Sequence, residues 1–80
     1  MNKFNWKKKS GIYIGRFQPF HDGHFEIVKK AIKKHGQVAI LIMDSFNINK
    51  KNPFEYKEVK KRILKKLQKF KGKYQIIKIP

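Results

Sequence analysis

Residues 38–43 read Val-Ala-Ile-Leu-Ile-Met without a polar break, and this run limits the possible folds more than any other feature. A half-exposed strand alternates apolar and polar side chains, so an unbroken apolar strand needs cover on both faces, the pattern of a parallel sheet. The run is also far short of the ~20 apolar residues that a membrane-spanning helix requires. No bilayer crossing is expected. On either side of it the apolar spacing changes from strand-like to helical. Before it, Phe25, Val28, Ala31 and Ile32 recur at helical spacing, and Gly36 stands where a helix would stop. After it, Tyr56, Val59, Ile63, Leu67 and Phe70 repeat the period, with lysines filling the outer face and Gly72 closing the segment.

Two further runs favour strands: Gly-Ile-Tyr-Ile-Gly at residues 11–15, and residues 74–79 with Tyr74, Ile76, Ile77 and Ile79. The order is therefore strand, helix, strand, helix, strand. Right-handed crossovers between parallel strands make this an α/β fold, a Rossmann-like βαβαβ half of a doubly wound parallel sheet with strand order 3-2-1. Residues 1–9 are expected to be a basic flexible lead-in, with Phe4 and Trp6 read as incidental aromatics in preference to a small docking motif, and residues 10–80 the half-domain itself. Ligands of such sheets sit beyond the carboxyl ends of the strands, where the strand order reverses. Here that is the free edge of the first strand, an edge that also invites pairing with a second copy.

Composition narrows the function. Eighty residues make one domain at most, and a chain of that size buries only about 60% of the surface exposed on unfolding. Lys+Arg count 21 against 5 Asp+Glu, so the formal charge is 21 − 5 = +16, and self-repulsion weakens the compact state further. With no cysteine there is no disulfide framework, thiolate metal site or cysteine nucleophile, and a cytoplasmic setting is the expectation. The basic start is not a secretion signal, because Gly15, Arg16 and Gln18 interrupt the apolar stretch that should follow. Only Arg16 and Arg62 are arginines; the other basic residues are lysines spread along the chain. Spread lysine reads as a solvated surface in preference to a polyanion groove, because arginine is the residue that reads phosphates and base edges with a planar fork. A basic nucleic-acid-binding module is kept as the alternative.

The loop from Gly15 to His24 reads Gly-Arg-Phe-Gln-Pro-Phe-His-Asp-Gly-His and joins the first strand to the first helix. Free amides and the positive end of the helix dipole favour an anion at that point. Gly23 allows close backbone approach, and His21 and His24, three residues apart, can aim at one phosphate. Taken without their context, the two histidines would read as surface or capping residues. Asp22 reads as a cap or dipole partner of the helix in preference to a catalytic group.

These ten residues resemble the signature of the HxGH-motif nucleotidylyltransferases, nearest to the archaeal-type nicotinamide mononucleotide adenylyltransferases. The resemblance extends to the flanking strands and to Asn52-Pro53-Phe54 at the start of the second helix. It implies transfer of a nucleoside monophosphate, AMP favoured over CMP, from a nucleoside triphosphate to a phosphate or hydroxyl acceptor. Pyrophosphate is released, and Mg²⁺ accompanies ATP or another triphosphate. By position, His21 and His24 are the implied catalytic contacts to the triphosphate. Gly15, Arg16, Phe17, Gln18 and Gly23 are the implied nucleotide-binding residues, partly through backbone groups. The implied partners are the nucleoside triphosphate and a small phosphorylated acceptor.

The family's second phosphate signature, a Ser/Thr-x-x-Arg-like motif, has no counterpart here. The arginine that follows the acidic residue near Asn-Pro-Phe is also replaced, since Val59 follows Glu58 and Arg62 stands three residues on. The expectation is therefore an N-terminal half, incomplete alone and completed by a second half or by a homo-oligomer, with an inactive remnant as a further alternative. Asp44 admits two readings, a substrate or metal contact beyond the second strand or plain turn chemistry. Lys50 and Lys51 read as solvated. Phe17, Phe20 and Phe25 are expected in the core, with Phe17 also a candidate for nucleotide contact. No zinc site is expected, because the two histidines have no third ligand nearby.

Overall fold

The structure of the chain, a computed structural model, describes residues 4–43 and 54–79. The elements follow the expected order: β1 (Gly11–Gly15), α1 (Asp22–His35), β2 (Val38–Met43), α2 (Tyr56–Lys66) and β3 (Tyr74–Ile79). The three strands form one parallel sheet with β2 in the centre, the expected 3-2-1 order counted from the other edge. Asp44, Lys50, Lys51, Asn52 and Pro53 lie outside the described residues.

Local chemistry sets the ends of α1. Lys33, Lys34 and His35 occupy its last turn, where the helix dipole favours cations. Gly36 then takes φ 85°, a left-handed conformation open to glycine, and its amide donates to the Ile32 carbonyl. α2 stops earlier than its apolar period suggests. Leu67 closes it, and residues 68–70 tighten into a 3₁₀ turn that places the Phe70 ring 6.2 Å from that of Phe25.

Both crossovers step the same way along the sheet, so both helices cover the same face. Val28 and Ile32 of α1 and Val59 and Ile63 of α2 meet Val38, Ile40 and Ile42 of β2 in one core, with Tyr13 and Ile76 of the outer strands packed against it. The opposite face is open. The register aligns Ile14, Leu41 and Ile77 across it, with Ile12, Met43 and Ile79 nearby; Ile12 is 69% exposed and Ile14 53%. The cover expected on both faces of β2 is thus complete on the helix side and partial on the other. The physical reason is that two crossovers of one hand and one direction cannot cover both faces.

Residues 5–10 of the basic lead-in and its junction are tied to the sheet by Gln37, a buried polar side chain. Its Oε1 accepts from the Asn5 amide at 2.9 Å, and its Nε2 donates to the Asn5 carbonyl at 2.6 Å and to Ser10 Oγ at 2.7 Å. A buried amide needs such partners on both its ends. No helix among the described residues is long and apolar enough to cross a membrane.

Candidate functional site

The loop after β1 turns on Phe17, a non-glycine residue at φ 52° whose ring is almost fully buried. A left-handed conformation is costly for a side chain with a Cβ, so the surroundings must hold it there. They do so with aromatic contacts: the Phe17 ring lies 5.1 Å from Tyr13, 5.5 Å from Phe20 and 5.1 Å from His24. A Cβ on Gly15 would stand 3.0 Å from two carbons of the Phe17 ring, so glycine there makes room for the fold-back. Phe17 is therefore a core residue, and only its backbone remains for a ligand. Gln18 is also used internally: its Oε1 accepts from the Phe54 amide at 2.8 Å and its Nε2 donates to the Phe54 carbonyl at 3.0 Å. This pairing fixes the loop to the start of α2. Arg16 stays exposed beside it.

His21 is the N-cap of α1, and the helix begins at Asp22. The Gly23 amide donates to His21 Nδ1 at 3.0 Å, and the His21 amide donates to His24 Nδ1 at 3.0 Å. This is the reciprocal logic of a capping box, with imidazole nitrogens as the acceptors. A ring nitrogen that accepts carries no proton, so each neutral ring holds its proton on Nε2. The cap and the candidate chemistry are therefore compatible. Nδ1 serves the helix, and Nε2–H remains as a donor at the positive end of the α1 dipole.

Stacking fixes the rings in the same way. His24 stacks on His21 at 3.8 Å between centroids and on Phe20 at 5.5 Å. Gly23 makes room for His21, since a Cβ there would stand 2.8 Å from His21 Cε1. Asp22 occupies the first turn, as suits the dipole, but it is not the cap. Its Oδ1 accepts from Lys66 Nζ at 2.6 Å, and this hydrogen bond and the Lys66 charge hold its carboxyl below the usual carboxylate range.

Burial lowers the pKa of His24 below the ordinary imidazole value, and the charge of His21 lowers it further. The unfolded chain takes up the His24 proton near pH ~6.5, whereas the folded chain resists it until a lower pH. Between those values the unfolded state holds more protons, so stability falls as pH falls through that window. Urea midpoints should decline between pH 7.5 and 5.5, and His24→Gln should flatten the decline; an unchanged slope would refute the assignment.

Among the described residues the loop thus brings His21, His24, Gly15 and Gly23 together, with Gln18 and Phe17 as its supports. Asp44 lies outside them. The roles of Phe20, Phe54 and Lys66 around the loop were not legible as site features. Phe20 read only as core, and the contacts of Phe54 and Lys66 span 36 and 44 residues of sequence. No group of three or more potential metal ligands occurs among the described residues.

Comparison with known proteins finds a matching family and related sequences. The cytidylyltransferase-like family model matches residues 12–79. The chain is 35% identical over 71 residues to the nicotinamide-nucleotide adenylyltransferase of Methanococcus aeolicus, covering 85% of this chain and 40% of that protein. It is 50% identical over 34 residues to the enzyme of the same name from Thermoplasma acidophilum, covering 42% of this chain and 19% of the relative. Identity is also 50% over 42 residues to the phosphopantetheine adenylyltransferase of Mycoplasma mycoides subsp. mycoides, covering 52% and 29%. The chain spans less than half the length of each of these relatives.

Proposed function

Since the chain belongs to the cytidylyltransferase-like family, we propose that it supplies the triphosphate-binding half of an adenylyltransferase active site. An oxygen of a small phosphorylated acceptor attacks the α-phosphorus of ATP and forms the new P–O bond. The bond from the α-phosphorus to the bridging oxygen breaks, and pyrophosphate leaves with the electron pair. Nucleotidylyl transfer of this kind needs alignment and charge stabilisation more than covalent help from the protein. The observation that carries the reading is the histidine pair, whose capping bonds fix both protons on Nε2 at the amino end of a helix.

In this reading His21 and His24 donate to phosphoryl oxygens as negative charge builds, and the α1 dipole adds to the same field. Gly15 gives the aromatic loop room to fold back, Gly23 leaves room for the His21 ring, and Gln18 holds the loop against α2. Mg²⁺ arrives with the triphosphate as part of the substrate, because the described loop offers nitrogen donors and its one carboxylate, Asp22, is paired with Lys66. Acceptor contacts come from a completing second half or a second copy. The open sheet face supports that need. A cytoplasmic setting, where Mg-ATP is supplied, belongs to the same proposal.

Equilibrium binding of Mg-ATP and Mg-CTP at physiological salt tests this function. Preference for ATP, lost in the H21A/H24A double variant, is the expected result. A folded chain that holds both nucleotides equally and independently of the histidines would refute it. If affinity for single-stranded RNA then fell steeply with salt, the nucleic-acid-binding alternative would take its place.

A further inference from the structure

The charge of α2 converges on one place. Lys61, Arg62, Lys65 and Lys66, with the ring of Phe20, line a cleft of ≈ 500 Å³. Lys61 with Lys65 and Arg62 with Lys66 are one helical turn apart, so the four cations form two adjacent pairs on one side of the helix. Two contacts place this cleft beside the candidate site. Phe20 stacks against His24, and Lys66, while lining the cleft, reaches Asp22 in the first turn of α1. Arg62 is oriented by its guanidinium lying 4.4 Å from the centroid of the Phe54 ring, the residue that Gln18 pins.

The volume is that of a small-molecule site, but such sites are usually lined by apolar side chains with few polar groups. Here the described lining is cationic apart from Phe20 and includes no acidic residue. Like charges one turn apart repel within a helix, so an anion that bridges them relieves the repulsion as well as binding to it. Asp22 already balances Lys66, and a monovalent anion cannot neutralise the remaining three cations, Lys61, Arg62 and Lys65, spread over more than one turn. A short row of linked phosphates carries enough charge and length to do so. Arg62 contributes a planar fork suited to phosphate oxygens, and the lysines contribute mobile point charges.

We propose that the α2 cleft is an oligophosphate-binding site, taking two or more linked phosphates either as a free anion or as the tail of a nucleotide. The site is built from α2 and Phe20, apart from the histidine donors, and stands whether or not the chain supports adenylyl transfer. It also gives Arg62 a role that the replaced family arginine does not.

Titration calorimetry of the 80-residue chain with sodium tripolyphosphate at low and physiological salt tests the proposal. Saturable binding is expected, with affinity falling at least about tenfold in K61E/K65E and several-fold in R62Q. The charge-matched K30E/K34E variant, changed on the exposed side of α1, should stay within about twofold of the parent. Equal weakening by K61E/K65E and K30E/K34E would show only the diffuse field of a +16 chain and overturn the site. Absence of saturable binding to the folded chain would overturn it as well. R62Q removes one charge without reversing any, so it decides the matter if the double reversal disturbs α2. Competition separates the sources: displacement of tripolyphosphate by ATP but not AMP assigns a nucleotide tail, and displacement by neither assigns a free oligophosphate. H21A/H24A should keep tripolyphosphate binding, so loss of nucleotide preference and loss of this site are separate results.

Discussion

Ile40→Ala is expected to remove most of the chain's stability. Ile40 is fully buried at the centre of β2, between Tyr13 and Ile76 in the register and beneath both helices. Truncating such a side chain costs about 2–5 kcal/mol, part in lost transfer energy and part in the cavity left behind. At roughly 0.05–0.15 kcal/mol per residue, a domain of this length has about 4–12 kcal/mol in total. One sheet face left open and a +16 charge place this chain toward the low end. The urea midpoint followed by circular dichroism should therefore fall by about half or more. Ile12→Ala, at a residue 69% exposed, should shift stability by less than about 0.5 kcal/mol. Equal effects at the two positions would mean that the helices do not cover the face assigned to them.

His24→Ala and His21→Ala should each lower adenylyl transfer by about 10²- to 10³-fold in the chain completed by its second half or copy, the loss found when one positioned donor is removed from a developing anion. Stability must be separated from chemistry, because each histidine also caps α1. Alanine at an N-cap costs about 1 kcal/mol, whereas asparagine is among the best N-caps. His21→Asn should thus restore the stability lost in His21→Ala without restoring turnover, since its short amide cannot place a donor where Nε2–H stands. Turnover that returned with the cap would reduce His21 to a structural residue. Unchanged turnover in both alanine variants would remove the histidines from the mechanism.

Much of the fold was legible because it is written in short-range pattern. The unbroken apolar run became the central strand, the helical period of Phe25, Val28, Ala31 and Ile32 became α1, and Gly36 took the positive φ that ends it. The histidine spacing was legible too, but as two competing readings, a cap or a phosphate contact. The structure shows the cap, and the ring has a second nitrogen for the other role. Phe17 and Gln18 were harder. Both were implied as nucleotide-binding and Phe17 also as core; the buried Phe17 ring fits the core reading, while the pairing of the Gln18 amide with Phe54 had no local signal.

The sequence by itself determined the identity and order of the elements, the stop after α1 and the family of the β1–α1 loop, because hydrophobic period and capping act within a few residues of chain. Tertiary structure alone decided which sheet face is covered, how the aromatic loop folds back on β1 and where α2 delivers its cations. Those outcomes depend on pairs such as Gln18 with Phe54 and Asp22 with Lys66, 36 and 44 residues apart. Contacts at that range leave no periodic trace, since they arise only when the crossovers bring separate elements against one face of the sheet.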